Sequence, residues 1–429
     1  MDFDISIFKP YDIRGIVPDQ INPDIAYRIG NALAVFLKPV TVAVGRGNNG
    51  HSRELCEAVI GGIIDAGSDI IDLGEISPDV LHFAVGKYDL DGGIMIAPGH
   101  VKKDEIEIKI CRRRAMPLSG KQDLDQIRKA LEDNTIEKSP NRGNMARKDI
   151  LQEFIDHCFG LVDIYSIKPL KLIIEAHGGT ANNFIPSILE RLPVKTGPVL
   201  NSDLSVNDIK LSGRADLGVE FDRAGGRITL YDSKGKSVAG DILTALVADY
   251  LLEKYPGETI LYSLICSKAV PELIARKGGQ ALKTRVGPSL IRPMMKKHNA
   301  LFGGEPSGYY YYRDNWFADS SIITFLIILE IISRSDRPLE QIVKDIDHYF
   351  RSGEITVRAN SAREKMETIA EKYSSGIQDR LDGLSVEMDD FWFNIRLSNT
   401  EPAVRLNVEA ISKELLDEKI EEILDLINS

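Results

Sequence analysis

The chain has 429 residues, more than one ordinary hydrophobic core can serve, so we expect several domains. Its apolar content of 43% and charged content of 27% are typical of globular proteins and argue against extended disorder. The net charge of −11 argues against a broad nucleic-acid-binding surface, although a local cluster of cations is compatible with it.

Neither a membrane span nor a secretory leader is expected. No apolar run approaches the ~20 residues that a membrane helix needs, and Met1-Asp-Phe-Asp-Ile5 lacks the basic start and apolar stretch of a signal peptide. Four cysteines are scattered without metal-binding spacing, which predicts reduced packing residues in a cytoplasmic protein; they are Cys56, Cys111, Cys158 and Cys266.

The first region alternates strand and helix signals. Thr41–Val44 is a short β-branched run that ends in a glycine-rich turn. An amphipathic helix is predicted over Ser52–Asp65 with Ser52 as its N-cap, and Asp69–Leu73 begins the next strand. Together they form a βαβ unit, which predicts a mostly parallel sheet covered by helices.

This alternation restarts twice further along the chain. Pro140–Gly143 lies in a polar stretch and marks a first boundary, after which a strand is predicted at Leu170–Glu175. A third cycle begins with the helix Gly240–Lys254 and the strand Thr259–Leu264. Beyond Ser352 four strand-like segments surround one helix and precede another, which predicts a small α+β domain; the segments are Glu354–Val357, Leu384–Met388, Phe391–Leu397 and Val404–Ala410.

The strongest chemical signal is Arg396-Leu-Ser-Asn-Thr-Glu-Pro-Ala-Val-Arg405, in which two arginines bracket a polar turn. Arginine presents a planar fork of donors that suits phosphate oxygens, and such turns expose backbone N–H groups as well. Neutral donors are expected from Ser398, Asn399 and Thr400. The alternative interpretation is a charged hairpin held by Arg–Glu pairing.

A second signal is the glycine-rich loop Gly303-Gly-Glu-Pro-Ser-Gly308. Glu305 and Ser307 are expected to point an acceptor and a hydroxyl outward, which suits sugar hydroxyls, although a simple capped turn would have the same composition. The run Tyr309–Tyr312 follows it. If extended, this run should alternate faces, with two rings packed inward at an edge strand and two facing outward.

Together these segments resemble the α-D-phosphohexomutase superfamily, in particular bacterial phosphomannomutase/phosphoglucomutase. The resemblance covers essentially the whole chain. Besides the two loops above, it rests on Lys9-Pro-Tyr-Asp-Ile-Arg-Gly15, Asp91-Gly-Gly-Ile-Met-Ile96, Ala215-Asp-Leu-Gly-Val219, Arg313-Asp-Asn-Trp-Phe-Ala-Asp-Ser320 and Arg405-Leu-Asn-Val-Glu-Ala410.

The resemblance implies four domains around a central cleft. Three would be α/β domains with mixed sheets, at 1–146, 147–241 and 242–353, and a C-terminal α+β domain at 354–429 would carry the phosphate loop. It also implies a phosphoserine that exchanges a phosphoryl group with a hexose phosphate, assisted by Mg²⁺ on three aspartates. Tyr11 and Arg14 would lie near the sugar.

The nucleophile segment departs from the superfamily pattern Thr-Ala-Ser-His-Asn-Pro. This chain has Ala97-Pro-Gly-His-Val-Lys102, so Gly99 stands where the resemblance implies the serine, beside a retained His100. Histidine is a competent nucleophile in principle, but His100 is displaced by one position. His51 and His177, in nearby turns, are weaker candidates for chemistry, and Arg112–Arg114 is expected to be a solvated strand end.

The metal segment departs as well. The superfamily has Asp-Gly-Asp-x-Asp-Arg, whereas this chain has Asp222-Arg-Ala-Gly-Gly-Arg227 and keeps only the first carboxylate. One aspartate is a poor magnesium site, so no cofactor is predicted, although Mg²⁺ is expected for the superfamily. Arg223 and Arg227 are candidate anion contacts instead.

Three hypotheses follow. The first is a catalytically impaired phosphohexomutase homologue that binds a small phosphorylated sugar, with a regulatory or accessory role beside an active paralogue; its expected protein partner is that paralogue or a second copy of the chain. A second is an active mutase with a substitute phosphoryl acceptor. The third is a scaffold or regulatory protein with a vestigial pocket. Loss of a catalytic nucleophile costs roughly 10⁶-fold in rate, which favours the first hypothesis over the second.

Overall fold

The computed structural model describes residues 3–9, 12–99, 104–118, 120–197, 199–200, 214–358, 362–397 and 403–428. Strands in these ranges form four sheets that follow one another along the chain. The four-domain α/β architecture is confirmed, with three mixed sheets and one antiparallel sheet. Among the described strands, the first sheet has three parallel pairs and two antiparallel ones, so it is mostly parallel, as the βαβ unit predicts. Among the described residues, no helix has both the length and the apolar character needed to cross a membrane.

The first sheet has six strands in the order β1-β5-β4-β2-β3-β6: β1 Ile13–Ile16, β2 Thr41–Arg46, β3 Asp69–Glu75, β4 Gly92–Pro98, β5 Glu105–Arg112 and β6 Met145–Arg147. Its helices are α1 Pro23–Leu37, α2 Ser52–Asp65, α3 Pro78–Lys87 and α4 Gly120–Glu132. Strand β2 is buried on both faces, because Val42 and Val44 pack in the core shared with α1 and α2, while Ala43 packs in the core that contains α3. This is the βαβ unit that the sequence predicts.

The second sheet has the order β11-β10-β9-β7-β8: β7 Lys171–Glu175, β8 Lys195–Thr196, β9 Leu217–Phe221, β10 Ile228–Tyr231 and β11 Ser237–Val238. Helices α5 Leu151–Gly160 and α6 Ile185–Leu189 belong to the same part of the chain. Strands β9 and β10 pair antiparallel, so the segment Asp222–Arg227 is the turn of a hairpin.

The third sheet has the order β13-β12-β14-β15-β16: β12 Thr259–Ser263, β13 Gln280–Thr284, β14 Phe302–Gly304, β15 Tyr310–Tyr312 and β16 Ala318–Asp319. Its helices are α7 Gly240–Lys254, α8 Ala269–Arg276, α9 Pro288–His298, α10 Ser321–Ser335 and α11 Leu339–Lys344. Because β14 and β15 pair antiparallel, Glu305–Tyr309 forms the connection between them, and Gly308 takes a left-handed φ of 89° there.

The fourth sheet is fully antiparallel, in the order β17-β21-β20-β19-β18: β17 Phe350–Val357, β18 Ile377–Asp379, β19 Leu384–Glu387, β20 Phe391–Leu397 and β21 Val404–Ala410. Helices α12 Ala362–Lys372 and α13 Lys413–Asn428 cover it. This sheet has a hydrophobic core of its own, whereas one continuous core runs through parts of the first three. The C-terminal unit is therefore the most separable part of the molecule.

Two local expectations are wrong. Ser52 is not the N-cap of α2, because His51 occupies that position and makes no side-chain cap hydrogen bond, while Ser52 is buried. In the run Tyr309–Tyr312 no ring faces outward, since all four side chains are buried. The reason is tertiary: β15 is not an edge strand but lies between β14 and β16. The four cysteines are buried and form no disulfide, as predicted.

Candidate functional site

Arg396 and Arg405 are brought together by strand pairing. They lie on β20 and β21 in directly opposed positions, and both guanidinium groups form ion pairs with Glu354 on β17. The Arg405 Nη1 to Glu354 Oε1 distance is 2.9 Å. Both interpretations of this motif are thus compatible with the fold, because the arginines converge and an Arg–Glu pairing exists.

A cavity of about 670 Å³ separates the second, third and fourth sheets around these arginines. Its walls include four of the residues that the sequence singled out, Arg227, Ser307, Arg396 and Arg405. They come from three separate segments of the chain, since Arg396 and Arg405 share one motif, so their convergence is a result of folding. The other three loop candidates, Ser398, Asn399 and Thr400, lie outside the described residues.

The same cavity contains charged residues that the sequence did not single out. Arg351 lines it, as do three carboxylates, Asp241, Glu354 and Glu409. Glu409 Oε1 accepts hydrogen bonds from Trp392 Nε1 at 2.7 Å and the Lys268 N–H at 2.9 Å. Burial raises the pKa of Glu409. No local pattern identifies these residues, since they belong to regular strands and a helix start.

Glu305 does not point outward, contrary to the expectation. It is 1% exposed, and its carboxylate accepts hydrogen bonds from the Gly287 N–H and the Tyr311 hydroxyl, both at 2.7 Å. Burial raises its pKa. In this conformation Glu305 stabilises the loop from within, whereas Ser307 is exposed and lines the cavity.

Arg227 lies over the ring of Tyr309, with its guanidinium carbon 4.6 Å from the ring centroid. This cation–π contact fixes the arginine at the rim of the cavity. Tyr309 therefore supports an arginine in this structure.

At the nucleophile position, Gly99 follows the last residue of β4 and its N–H donates to the Glu105 carbonyl at 2.7 Å. A Cβ atom at position 99 would lie 2.6 Å from Cβ, Cγ and Oε2 of Glu105, which is closer than real Cβ contacts allow. The Glu105 side chain thus fills the space that a serine would need. His100 lies outside the described residues.

Strand β5 places a row of charged residues on the face opposite the core. Glu105, Glu107 and Lys109 alternate with Ile106 and Ile108, which are fully buried in the core formed with α1 and α2. The pattern Glu-Ile-Glu-Ile-Lys shows this alternation in the sequence, but it does not mark these residues as part of a site.

Glu107 is the anionic centre of this region. It is fully buried, with its carboxylate 2.5 Å from Arg14 Nη2 and 3.4 Å from Lys109 Nζ. Burial opposes a charged amine, but the nearby Tyr309 and Glu107 outweigh it and raise the pKa of Lys109. Arg14 therefore serves an internal ion pair, and Tyr11, its predicted neighbour, lies outside the described residues.

The side chains of the hairpin turn to which the resemblance assigns Mg²⁺ do not fit that ion. Oδ1 of Asp222 accepts the N–H groups of Gly226 and Arg227 at 2.8 and 3.0 Å, so it closes its own turn. Ala224 and Gly226 stand where the other two aspartates would be. Nowhere in the described ranges do three or more His, Cys, Asp or Glu side chains form a group able to hold a metal ion.

Arg223 points to a different space from Arg227. It lines a cavity of about 260 Å³ together with Gly99, His51, Asp104 and His177. Both histidines face carboxylates there: His177 Nε2 lies 3.1 Å from Glu220 Oε1, and His51 Nε2 lies 4.0 Å from Asp104 Oδ1. One six-residue turn therefore supplies an arginine to each of two cavities.

The stretch Arg112–Arg114 lies apart from both cavities. Arg113 forms an exposed ion pair with Asp89, and the partly exposed Arg112 pairs with the buried Asp123. This arrangement agrees with a solvated strand end.

Three family models match the chain. They are the phosphoglucomutase/phosphomannomutase alpha/beta/alpha domain I over residues 6–138, the corresponding domain III over residues 239–349, and the C-terminal domain over residues 354–426. A phosphomannomutase of Escherichia coli is 32% identical over 452 aligned positions, covering 99% of both chains. The phosphomannomutase of Methanocaldococcus jannaschii is 31% identical, covering 99% of this chain and 98% of that protein.

Solved structures agree on the fold. A phosphoglucomutase/phosphomannomutase family protein of Burkholderia thailandensis superimposes with a TM-score of 0.89 at 24% identity, covering 99% of this chain and 97% of the other. The phosphoglucomutase pp63/parafusin of Paramecium, in an open form, gives a TM-score of 0.79 at 17% identity, covering 98% and 94%.

Proposed function

The chain belongs to the phosphoglucomutase/phosphomannomutase family, and from that premise we propose that it binds a phosphorylated hexose but does not transfer its phosphoryl group. The observation that carries the proposal is the convergence of Arg227, Ser307, Arg396 and Arg405 on one cavity. A cavity of about 670 Å³ is within the usual range of small-molecule sites.

The binding half of the proposal rests on charge and geometry. Arg396 and Arg405 offer guanidinium donors side by side on adjacent strands, which suits the oxygens of one phosphate group. Arg227 and Ser307 lie on other elements lining the same space and offer donors to the rest of the ligand. The positions of these side chains support a phosphate held at one end and a sugar extending from it.

The catalytic half of the proposal rests on two positions, Gly99 and Asp222, whose residues are not suited to phosphoryl transfer. Glycine has no side chain to phosphorylate, and Glu105 occupies the adjacent space. Asp222 already accepts two backbone N–H groups of its own turn. Binding contacts act on ground and transition states alike, so the arginines do not replace a missing covalent step.

The test is calorimetric titration of the protein with glucose 1-phosphate, mannose 1-phosphate and mannose 6-phosphate, with mannose as the uncharged control. At least one phosphosugar should bind and mannose should not. Arg396→Gln and Arg405→Gln should each weaken binding about 10- to 100-fold, because each removes charged hydrogen bonds.

The matched control is Arg380→Gln, since Arg380 is an exposed arginine of the same domain that pairs with Glu367. It should leave the affinity unchanged. Equal affinity in all three variants, or no binding of any phosphosugar, would contradict the proposal and favour a scaffold with a vestigial pocket.

A further inference from the structure

The two phosphate-loop arginines face each other across a strand pair. Arg396 on β20 is the direct partner of Arg405 on β21. Like charges in directly opposed positions of an antiparallel pair destabilise it. Glu354, on the next strand β17, relieves this repulsion because one carboxylate oxygen contacts each guanidinium group.

A β-bulge places Glu354 there. The register of β17 against β21 shifts between Arg351 and Glu354, where Gly353 has a φ of 68°. Residues three apart in a regular strand face opposite sides. Because of the bulge, Arg351 and Glu354 both line the same cavity.

Glu354 differs from the other two carboxylates of the cavity. Asp241 accepts backbone N–H groups from Ile242 and Ser267, at 2.8 and 3.0 Å, and Glu409 is held by Trp392 and a backbone N–H. The contacts of Glu354 are instead to the two arginines of the phosphate loop. Its charge acts directly on the groups that would hold a ligand.

One donor of Arg396 is not used within the described part of the chain. Nη1 of Arg396 is buried and has no hydrogen-bond partner among the described residues, although Nη2 of the same side chain donates to Glu354. A buried N–H group without an acceptor costs free energy. An oxygen of an anion that enters the cavity would accept a hydrogen bond from this group and remove that cost.

We propose that Glu354 is an internal counter-anion of the phosphate loop: it holds the two arginines together in the empty site and weakens their attraction for a bound anion. This inference rests on the proposed phosphate-binding function. Its consequence is that removal of the Glu354 charge tightens phosphate binding, even though it removes two ion pairs from the protein.

The test compares wild type with Glu354→Gln, using titration with glucose 6-phosphate and with glucose 6-sulfate, which has similar shape but only one negative charge. Glu354→Gln should bind the phosphate about tenfold more tightly, as expected when a unit charge ~6 Å from a dianion is removed under water-like screening. The gain for the sulfate should be smaller, because the repulsion scales with ligand charge. The melting temperature without ligand should fall, and the rise on adding phosphate should be larger than in wild type.

Two further variants make the result specific to this charge. Glu354→Asp keeps the charge and should bind like wild type. Glu387→Gln removes a carboxylate of the same domain that pairs with Lys268 at 2.9 Å, and it should change nothing.

Weaker phosphate binding by Glu354→Gln, with wild-type binding intact, would overturn the inference and identify Glu354 as a positioning residue, leaving the proposed function standing. Equal gains for phosphate and sulfate would also overturn it. Absence of glucose 6-phosphate binding by every variant, wild type included, would overturn this inference. The proposed function would fall with it only if the other three phosphosugars also fail to bind.

Discussion

Two regions of the molecule differ, and we call them the phosphate end and the transfer end after the roles that the proposed function gives them. At the phosphate end, Arg396, Arg405 and Ser307 line one cavity, and the side chains suited to ground-state binding are present. At the transfer end, Gly99 lacks a side chain and Asp222 binds its own turn. Both ends belong to one fold that superimposes on a family structure with a TM-score of 0.89. Under the proposed function, the comparison teaches that recognition and chemistry are separable parts of this architecture.

The transfer end is not an empty remnant. Glu105 fills the space beside Gly99, and Glu107 pairs with Arg14 and Lys109 in a fully buried position. Buried charges are tolerated when they are paired, so this cluster is self-compensating without a metal ion. At the phosphate end, by contrast, a single carboxylate, Glu354, is shared by two arginines. An incoming anion is therefore better accommodated at the phosphate end.

Mutase turnover is the largest effect that would contradict this difference between the two regions. We expect no mutase activity above background in a coupled assay with Mg²⁺ and hexose 1,6-bisphosphate, a loss of about 10⁶-fold relative to an enzyme with its nucleophile. Gly99→Ser should not restore activity, because the new side chain would meet Glu105 at 2.6 Å. Gly99→Ser with Glu105→Ala makes room but still lacks the metal ligands, and should also be inactive.

A serine-containing family member assayed in parallel is the positive control. Turnover by the wild-type chain would contradict the proposed loss of phosphoryl transfer. Labelling with a radioactive phosphoryl group would then locate the acceptor residue. Activity of the double variant alone would show that the metal loop is not the limiting defect.

A tenfold change in ligand affinity tests whether the bound ligand is confined to the large cavity. Arg227 lines the large cavity and Arg223 the small one, although both belong to the same turn. Arg227→Met should weaken hexose phosphate binding about tenfold, the value of one charged hydrogen bond, while Arg223→Met should leave it unchanged. Titration of both variants measures this. A larger loss in Arg223→Met would mean that the ligand extends to the transfer end.

The smallest expected effect concerns divalent cations. Arg227 and Lys109 supply fixed positive charge near the turn to which the resemblance assigns Mg²⁺, and Oδ1 of Asp222 already accepts two N–H groups. Phosphosugar affinity should therefore be the same within about twofold in excess Mg²⁺ and in excess EDTA, since no charged hydrogen bond is lost. A clear loss in EDTA would indicate a cation site that includes residues beyond the described ranges.

Regular elements followed closely from the sequence. Helices Ser52–Asp65 and Gly240–Lys254 and strand Phe391–Leu397 have the predicted bounds, because hydrophobic periodicity and glycine positions are local signals. The motif that pairs Arg396 with Arg405 was also visible, since a short loop joins their strands. The domain limits at 146, 241 and 353 stay predictions, and strand β6 runs across the first of them.

Contacts between segments distant in the sequence decided the features that were not predicted, such as which side chains are buried. Glu305 is expected to be exposed from its glycine-rich loop, yet Tyr311 and the Gly287 N–H enclose its carboxylate. The tyrosine run is buried because β16 covers the strand that would have been an edge.

By itself, the sequence determined the family, the four-domain α/β architecture and the loss of the serine and aspartates, because each is written in contiguous motifs. Only the tertiary structure decided that Glu105 fills the space beside Gly99, that Arg223 and Arg227 serve different cavities, and that Glu354 lies between the two phosphate-loop arginines. The physical reason is that ion pairing and burial depend on which distant segments meet. A β-bulge or a strand pairing decides which segments meet, and a local sequence pattern does not predict either one.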